Sequence, residues 1–418
     1  MDTVKYVTEK AKLAKRALRV IANASSDQKN RALKAMATLI IEASAELLAA
    51  NQTDIAAAEK NGLSRAMIDR LALNEKRITS MAKGLREVAA LPDPVGEITQ
   101  IRRRPNGMEV GRMRVPLGLI GIIYESRPNV TVEAAALCFK AGNSVILRGG
   151  SESIKSNAAL AQILSKALAQ NNLPQEAIAF IEYTDRACVN AMLKLDEYID
   201  LIIPRGGHGL IRAVTENSTI PVIKHDKGVC HVYVDEHADL SMAEAICINA
   251  KTQRPSTCNA METMLVHEKI APQLLPSLAK KFAEKGVKIY ACEQSRAWFT
   301  DAEPADDSVW YNEYNDMVLN VKVVPNFTAA VDHIATYSSQ HTDTIVTQDY
   351  ARARRFLREV DSAAVMVNVS TRFSDGFEFG MGAEIGISTT RLHARGPMGL
   401  EELTCNKFIV MGDGQLRT

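Results

Sequence analysis

The chain predicts an α/β protein of two domains, each built on a mostly parallel sheet. Apolar runs at 119–124, 144–147, 178–181, 199–203 and 220–223 recur between segments of helical spacing, and a second series of the same kind starts at Val229 and runs to about Val369. Runs of this sort are strands buried on both faces, which is what a parallel sheet covered by helices requires. The length, 418 residues with 46% hydrophobic and 24% charged, suffices for two or three soluble domains.

Residues 1–90 are rich in alanine and leucine, with apolar positions three and four apart (Leu33, Met36, Leu39, Ile40), and read as several amphipathic helices broken at Asn61-Gly62. Leu91-Pro92-Asp93-Pro94 ends them. Across 98–117 the Asn106-Gly107 pair and the flanking Met108, Val110, Met113 and Val115 predict a projecting β-hairpin. Gly118 then opens the buried strand 119–124, followed by a helix over 132–141, the strand 144–147 and a helix over about 156–169. The strands 178–181, 199–203 and 220–223, with helices between them, complete the first series. Beyond the second series lies a glycine-rich tail.

Charge and cysteine usage exclude several function classes. A formal net charge of +1 without any block of like charge gives no footprint for nucleic acid or an anionic membrane. Cys138, Cys188, Cys230, Cys247, Cys258, Cys292 and Cys405 are odd in number and show no CxxC spacing, so the sequence predicts a reducing, cytoplasmic setting without disulfides or a metal site. The basic N-terminus is interrupted by Asp2 and Glu9 and is read as a solvated helix. No apolar stretch approaches the ~18 residues of a membrane span.

The run Lys251-Thr252-Gln253-Arg254-Pro255-Ser256-Thr257-Cys258-Asn259 sets one cysteine in a polar, cation-bearing loop between apolar segments. A neighbouring positive charge lowers a thiol pKa toward neutrality, where the thiolate attacks carbonyls. Two glycine turns, Arg148-Gly149-Gly150-Ser151 and Arg205-Gly206-Gly207-His208-Gly209, each follow a predicted strand. Backbone N–H groups exposed by such turns suit phosphate, although glycine turns after strands are commonly only tight turns.

These motifs, with Glu313 ahead of an apolar strand and the tail Phe379-Gly380-Met381-Gly382-Ala383-Glu384-Ile385-Gly386, resemble the aldehyde dehydrogenase superfamily in order and spacing. More narrowly, the runs 115–118, 124–131, 145–150, 229–235, 249–259 and 392–400 are similar to the acyl phosphate reductase branch that serves proline biosynthesis. The resemblance implies two Rossmann-like domains, an NADP-binding one from 1–97 and 118–228 and a catalytic one from 229–393, plus a small β oligomerisation arm from 98–117 and 394–418. It implies NADPH-dependent reduction of L-glutamate 5-phosphate to the 5-semialdehyde and phosphate through a thioester on Cys258.

Where oxidising members carry the glutamate that activates water, this chain reads Ile223-Lys224-His225-Asp226, with Asp226 as the one alternative carboxylate. Arg148 and Ser151 replace a lysine and a glutamate at the adenosine ribose, which favours a 2′-phosphate, while Glu152 next door offers a carboxylate again. Gly149, Gly206 and Gly207 fall on phosphate-binding turns and Glu313 on the nicotinamide ribose position. The oxyanion donors implied are the Cys258 N–H with Ser126 or Asn129. Arg127, Arg254 and Arg395 are the candidates for gripping the substrate's phosphate and α-carboxylate, the alternative for each being a structural ion pair. His231 and His393 are read as structural groups. The resemblance also implies a homodimer or tetramer and a transient contact with glutamate 5-kinase. The rival readings are an NAD-dependent hydrolytic semialdehyde dehydrogenase and a non-catalytic nucleotide-binding protein.

Overall fold

A computed structural model describes residues 2–225 and 227–417. The chain divides into two compact units, one of residues 1–224, 381–386 and 398–418, the other of residues 225–380 and 387–397.

The first unit carries a four-stranded parallel sheet in the order Ile178–Phe180, Ser144–Arg148, Leu119–Tyr124, Leu201–Arg205. Every residue of Leu119–Tyr124 is buried, as expected of a central strand with helices on both faces. The helices Asn129–Lys140 and Ile154–Gln170 each begin two or three residues ahead of the sequence expectation. The stretch 220–223 differs from its predicted form: it contributes only an isolated bridge between Ile202 and Val222. Pro221 supplies a carbonyl to the Ile202 N–H but has no N–H of its own, so the pairing cannot extend as a ladder.

Five helices precede the sheet, from Thr3–Ile21 to Glu75–Ala90. Their attachment is polar as well as apolar. Buried Asp54 accepts from the Ser156 N–H at 2.8 Å and the Ser156 hydroxyl at 2.7 Å, and so caps the sheet-covering helix that follows Arg148. The predicted hairpin forms from Ile98–Arg103 and Glu109–Pro116, and Thr404–Met411 adds a third antiparallel strand along the full length of Glu109–Pro116.

The second unit is a seven-stranded parallel sheet ordered Glu303–Pro304, Lys288–Ala291, Val318–Val324, Met261–His267, Cys230–Val234, Thr342–Val346, Ala364–Val367. Its interior holds histidines as well as hydrocarbon. His231 pairs with Asp343 at 3.1 Å, both fully buried. Burial, with His231 and Lys322 nearby, presses His333 down to about 2, and burial with His225 nearby presses His341 down to about 3.

These depressed values couple stability to pH. The unfolded chain protonates both imidazoles near their ordinary pKa of ~6.5, whereas the folded chain does not until far lower pH. Stability from these groups is therefore complete above ~6.5 and falls as the pH drops, by up to about 1.4 kcal/mol per pH unit for each histidine. Urea unfolding between pH 7 and pH 5 should show this decline, and His333→Phe should make it shallower. An unchanged slope in the variant would contradict the assignment.

Candidate functional site

In the second unit the helix Leu240–Thr252 and the strand Met261–His267 are joined by the loop that carries Cys258. Lys251 and Glu262 close the base of this loop as a fully buried ion pair at 2.7 Å. Burial pushes the Glu262 carboxyl up to about 7, Lys251 pulls it back, and the neighbouring charge of Glu313 adds to the rise. Glu313 is half-buried ahead of the strand Val318–Val324.

The loop is packed backbone against backbone. A Cβ on Gly228 would lie 2.0 Å from the Cys258 carbonyl oxygen, a collision no side chain survives. The Cys258 carbonyl accepts from the Cys230 thiol at 3.2 Å. Asn259 donates to the Ser374 carbonyl at 3.0 Å and to the Arg372 carbonyl at 3.4 Å, and the Thr257 hydroxyl donates to the Arg254 carbonyl at 2.8 Å. Cys258 itself is half-buried, which suits a group that must meet both solvent and substrate.

Arg254 and Cys258 come together here with a residue the sequence did not single out, Arg372. Its Nε donates to the Gln253 side chain at 2.8 Å. Burial lowers the basicity of this half-buried guanidinium, the charge of Arg254 lowers it further, and Cys258 opposes the change. Arg395, by contrast, takes the ion-pair alternative: its guanidinium bonds Asp361 at 2.7 Å and the Asp361 carbonyl at 3.0 Å. Asp226, the alternative base, lies outside the described residues.

The first unit holds the other candidates. Gly206 and Gly207 join the carboxyl end of Leu201–Arg205 to the helix His208–Asn217. The Gly207 N–H donates to the Glu125 carboxylate at 2.8 Å, and a Cβ on Gly206 would lie 2.4 Å from the same oxygen. The turn thus accepts an anion at close range, and a dinucleotide pyrophosphate fits its chemistry.

At the neighbouring turn, Arg148 donates to the Gly149 and Thr184 carbonyls, both at 2.8 Å, and feels the charge of Arg186. Ser151 is exposed. Glu152 accepts from both the N–H and the hydroxyl of Ser126 at 2.7 Å, so the alternative ribose carboxylate and one of the two oxyanion candidates hold each other. Asn129, the other candidate, donates to Glu133 at 2.8 Å, with Arg127 and Arg205 close to that carboxylate. Arg372 and Glu125 escaped the sequence reading. For Glu125 a signal existed, its place directly after the buried strand Leu119–Tyr124.

A model of the aldehyde dehydrogenase family matches residues 2–290. The chain is 58% identical over 417 residues to a gamma-glutamyl phosphate reductase of Thermodesulfovibrio yellowstonii and 56% identical to one of Moorella thermoacetica, with 100% of each chain covered in both comparisons. A crystal structure of gamma-glutamyl phosphate reductase from Thermotoga maritima matches with a TM-score of 0.97 at 48% identity, covering 99% of this chain and 100% of that one. An acetylating aldehyde dehydrogenase from Geobacillus thermoglucosidasius, 18% identical over 100% of this chain and 98% of its own, shares the fold with a TM-score of 0.68. The chain therefore belongs to the aldehyde dehydrogenase family and, within it, to the gamma-glutamyl phosphate reductases. It is an oxidoreductase, and the family implies a nicotinamide cofactor.

A pyrophosphate seated on Gly206-Gly207 would displace the Glu125 carboxylate. Glu125→Ala is expected to tighten dinucleotide binding about threefold to tenfold, the scale of one charge interaction at a helix N-terminus. Titration calorimetry checks this, and an unchanged or weaker affinity would remove Glu125 from the turn's function.

Proposed function

We propose that the protein reduces L-glutamate 5-phosphate to L-glutamate 5-semialdehyde and inorganic phosphate with NADPH, the second step of proline biosynthesis. The observation that carries the reading is the half-buried thiol of Cys258, held in a fixed loop beside the Arg254 and Arg372 cations. Cationic neighbours favour the thiolate and suit an anionic leaving group.

The Cys258 thiolate attacks the C5 carbonyl carbon, the carbon–oxygen bond to phosphate breaks, and phosphate departs with the electron pair to leave a thioester. NADPH, which Gly149, Gly206, Gly207 and Glu313 would hold, would supply the hydride that the thioester carbon accepts. The hemithioacetal oxyanion left by hydride addition re-forms the carbonyl and expels the Cys258 thiolate with the carbon–sulfur electrons. The Cys258 N–H with Asn129 is assigned to the oxyanion, Asn129 having a second amide hydrogen beyond the one given to Glu133, whereas both donors of Ser126 are given to Glu152.

Gly149, Gly206 and Gly207 would hold the cofactor phosphates, Glu313 the nicotinamide ribose, and Arg148 with Ser151 the 2′-phosphate. Support for NADP over NAD comes from Arg148 lying near a second cation, Arg186, and from Glu152 being engaged by Ser126. Arg127 and Arg254 remain the proposed grips for the substrate's anionic groups, and Arg395, tied to Asp361, is proposed as structural.

The sequence places Lys224 and His225 where hydrolytic relatives need a carboxylate, which supports a thioester that waits for hydride. The three-stranded sheet, with Ile98, Ile101, Phe408, Val410 and Met411 exposed, supports assembly as a homodimer or tetramer. A cytoplasmic location and a transient contact with glutamate 5-kinase, which would shelter the labile acyl phosphate, complete the reading. Among the described residues no helix is long and apolar enough to cross a membrane.

The test is the reverse reaction on purified protein, following NADPH formation from the semialdehyde with and without inorganic phosphate. Activity should require phosphate and disappear in Cys258→Ala. Turnover in phosphate-free buffer would mean that water resolves the thioester and would overturn the reductase assignment.

A further inference from the structure

We propose that Arg372, together with Arg254, grips the phosphate group of the substrate as Cys258 displaces it. This assignment rests on the acyl phosphate reductase reading and adds to it the residue that reads the leaving group.

Arg372 lies in the short turn Thr371–Phe373, far from Cys258 along the chain. Two contacts bring it to the nucleophile loop, and they bracket Cys258: Gln253 accepts from the Arg372 Nε at 2.8 Å, and Asn259 donates to the Arg372 and Ser374 carbonyls at 3.4 and 3.0 Å. The Ser370 hydroxyl accepts from the Arg372 N–H at 3.3 Å and fixes the start of the turn. One guanidinium edge is thus oriented by Gln253, and no carboxylate among the described residues forms an ion pair with Arg372. Burial and the adjacent Arg254 charge both disfavour its cationic form, and an anion between the two guanidinium groups relieves both penalties.

Distance along the substrate selects the phosphate over the α-carboxylate. The phosphate is bonded through one oxygen to the carbon that Cys258 attacks. The α-carboxylate lies four carbon–carbon bonds further on, roughly 5 Å away in an extended chain. A guanidinium that senses the Cys258 sulfur and is bonded to its loop is therefore placed for the leaving group. As the carbon–oxygen bond breaks, the electron pair moves onto phosphate oxygen, and Arg372 and Arg254 stabilise that growing charge without taking a proton.

Reverse-direction kinetics with inorganic phosphate as the varied substrate test this on wild type, Arg372→Lys and Arg372→Gln. The KM for phosphate should rise roughly 10- to 100-fold in Arg372→Gln and less in Arg372→Lys, with the KM for semialdehyde within about twofold of wild type. A second readout needs no turnover: phosphate should slow alkylation of Cys258 in the wild type and fail to do so in Arg372→Gln, with thermal melting used to verify that the variant is folded. An unchanged phosphate constant overturns the proposal, and a rise confined to the semialdehyde reassigns Arg372 to the carboxylate. A wild-type enzyme indifferent to phosphate would instead overturn the reductase reading.

Discussion

The contact between Gly228 and the backbone of Cys258 is the constraint on which the placement of the second unit's candidate residues depends. With no side chain at 228, the loop that carries Cys258 settles against the segment leading into Cys230–Val234, and the Cys258 carbonyl comes within reach of the Cys230 thiol. From that seat the rest follows. The buried Lys251–Glu262 pair closes the loop's base, and Asn259 reaches the turn that carries Arg372. A looser seat would leave the same side chains present but not pre-organised, and displacement at a carbonyl loses rate steeply with misplacement of the attacking atom.

The candidate residues of the two units lie at opposite ends of their parallel strands. In the first, the glycine turns follow the carboxyl ends of Ser144–Arg148 and Leu201–Arg205, the usual position for a phosphate ligand in an open α/β sheet. In the second, Cys258 lies just before the amino end of Met261–His267, and Cys230 begins the adjacent strand. The carboxyl ends there are occupied by a closed polar network, in which Arg352 bonds Asp235 at 2.6 Å while the Tyr233 hydroxyl and the Thr347 hydroxyl each donate to Asp235 at 2.9 Å. Such a saturated network stiffens one end of the sheet.

Much of the fold was legible because buried parallel strands leave continuous apolar runs, and Leu119–Tyr124 is buried throughout as its composition demands. The stretch 220–223 misled for the same reason: its apolar content reports burial, while Pro221 decides that it cannot pair as a strand. Cys258 stood out as one thiol in a polar, cationic run, and the family resemblance made it the candidate nucleophile. Arg372 was not, because the contact that matters, with Asn259, spans 113 residues and neither side of it shows a local pattern. The partners of Arg395 and Glu152 were equally hidden, since whether an arginine or glutamate is engaged depends on tertiary neighbours such as Asp361 and Ser126.

The central claim is that Cys258 carries the acyl group and that water does not remove it. Mass analysis of the protein, quenched after incubation with the semialdehyde and NADP in phosphate-free buffer, tests this most directly. The account predicts a γ-glutamyl adduct on the peptide containing Cys258 that persists until phosphate is added. Steady NADPH production with no adduct on that peptide would contradict it.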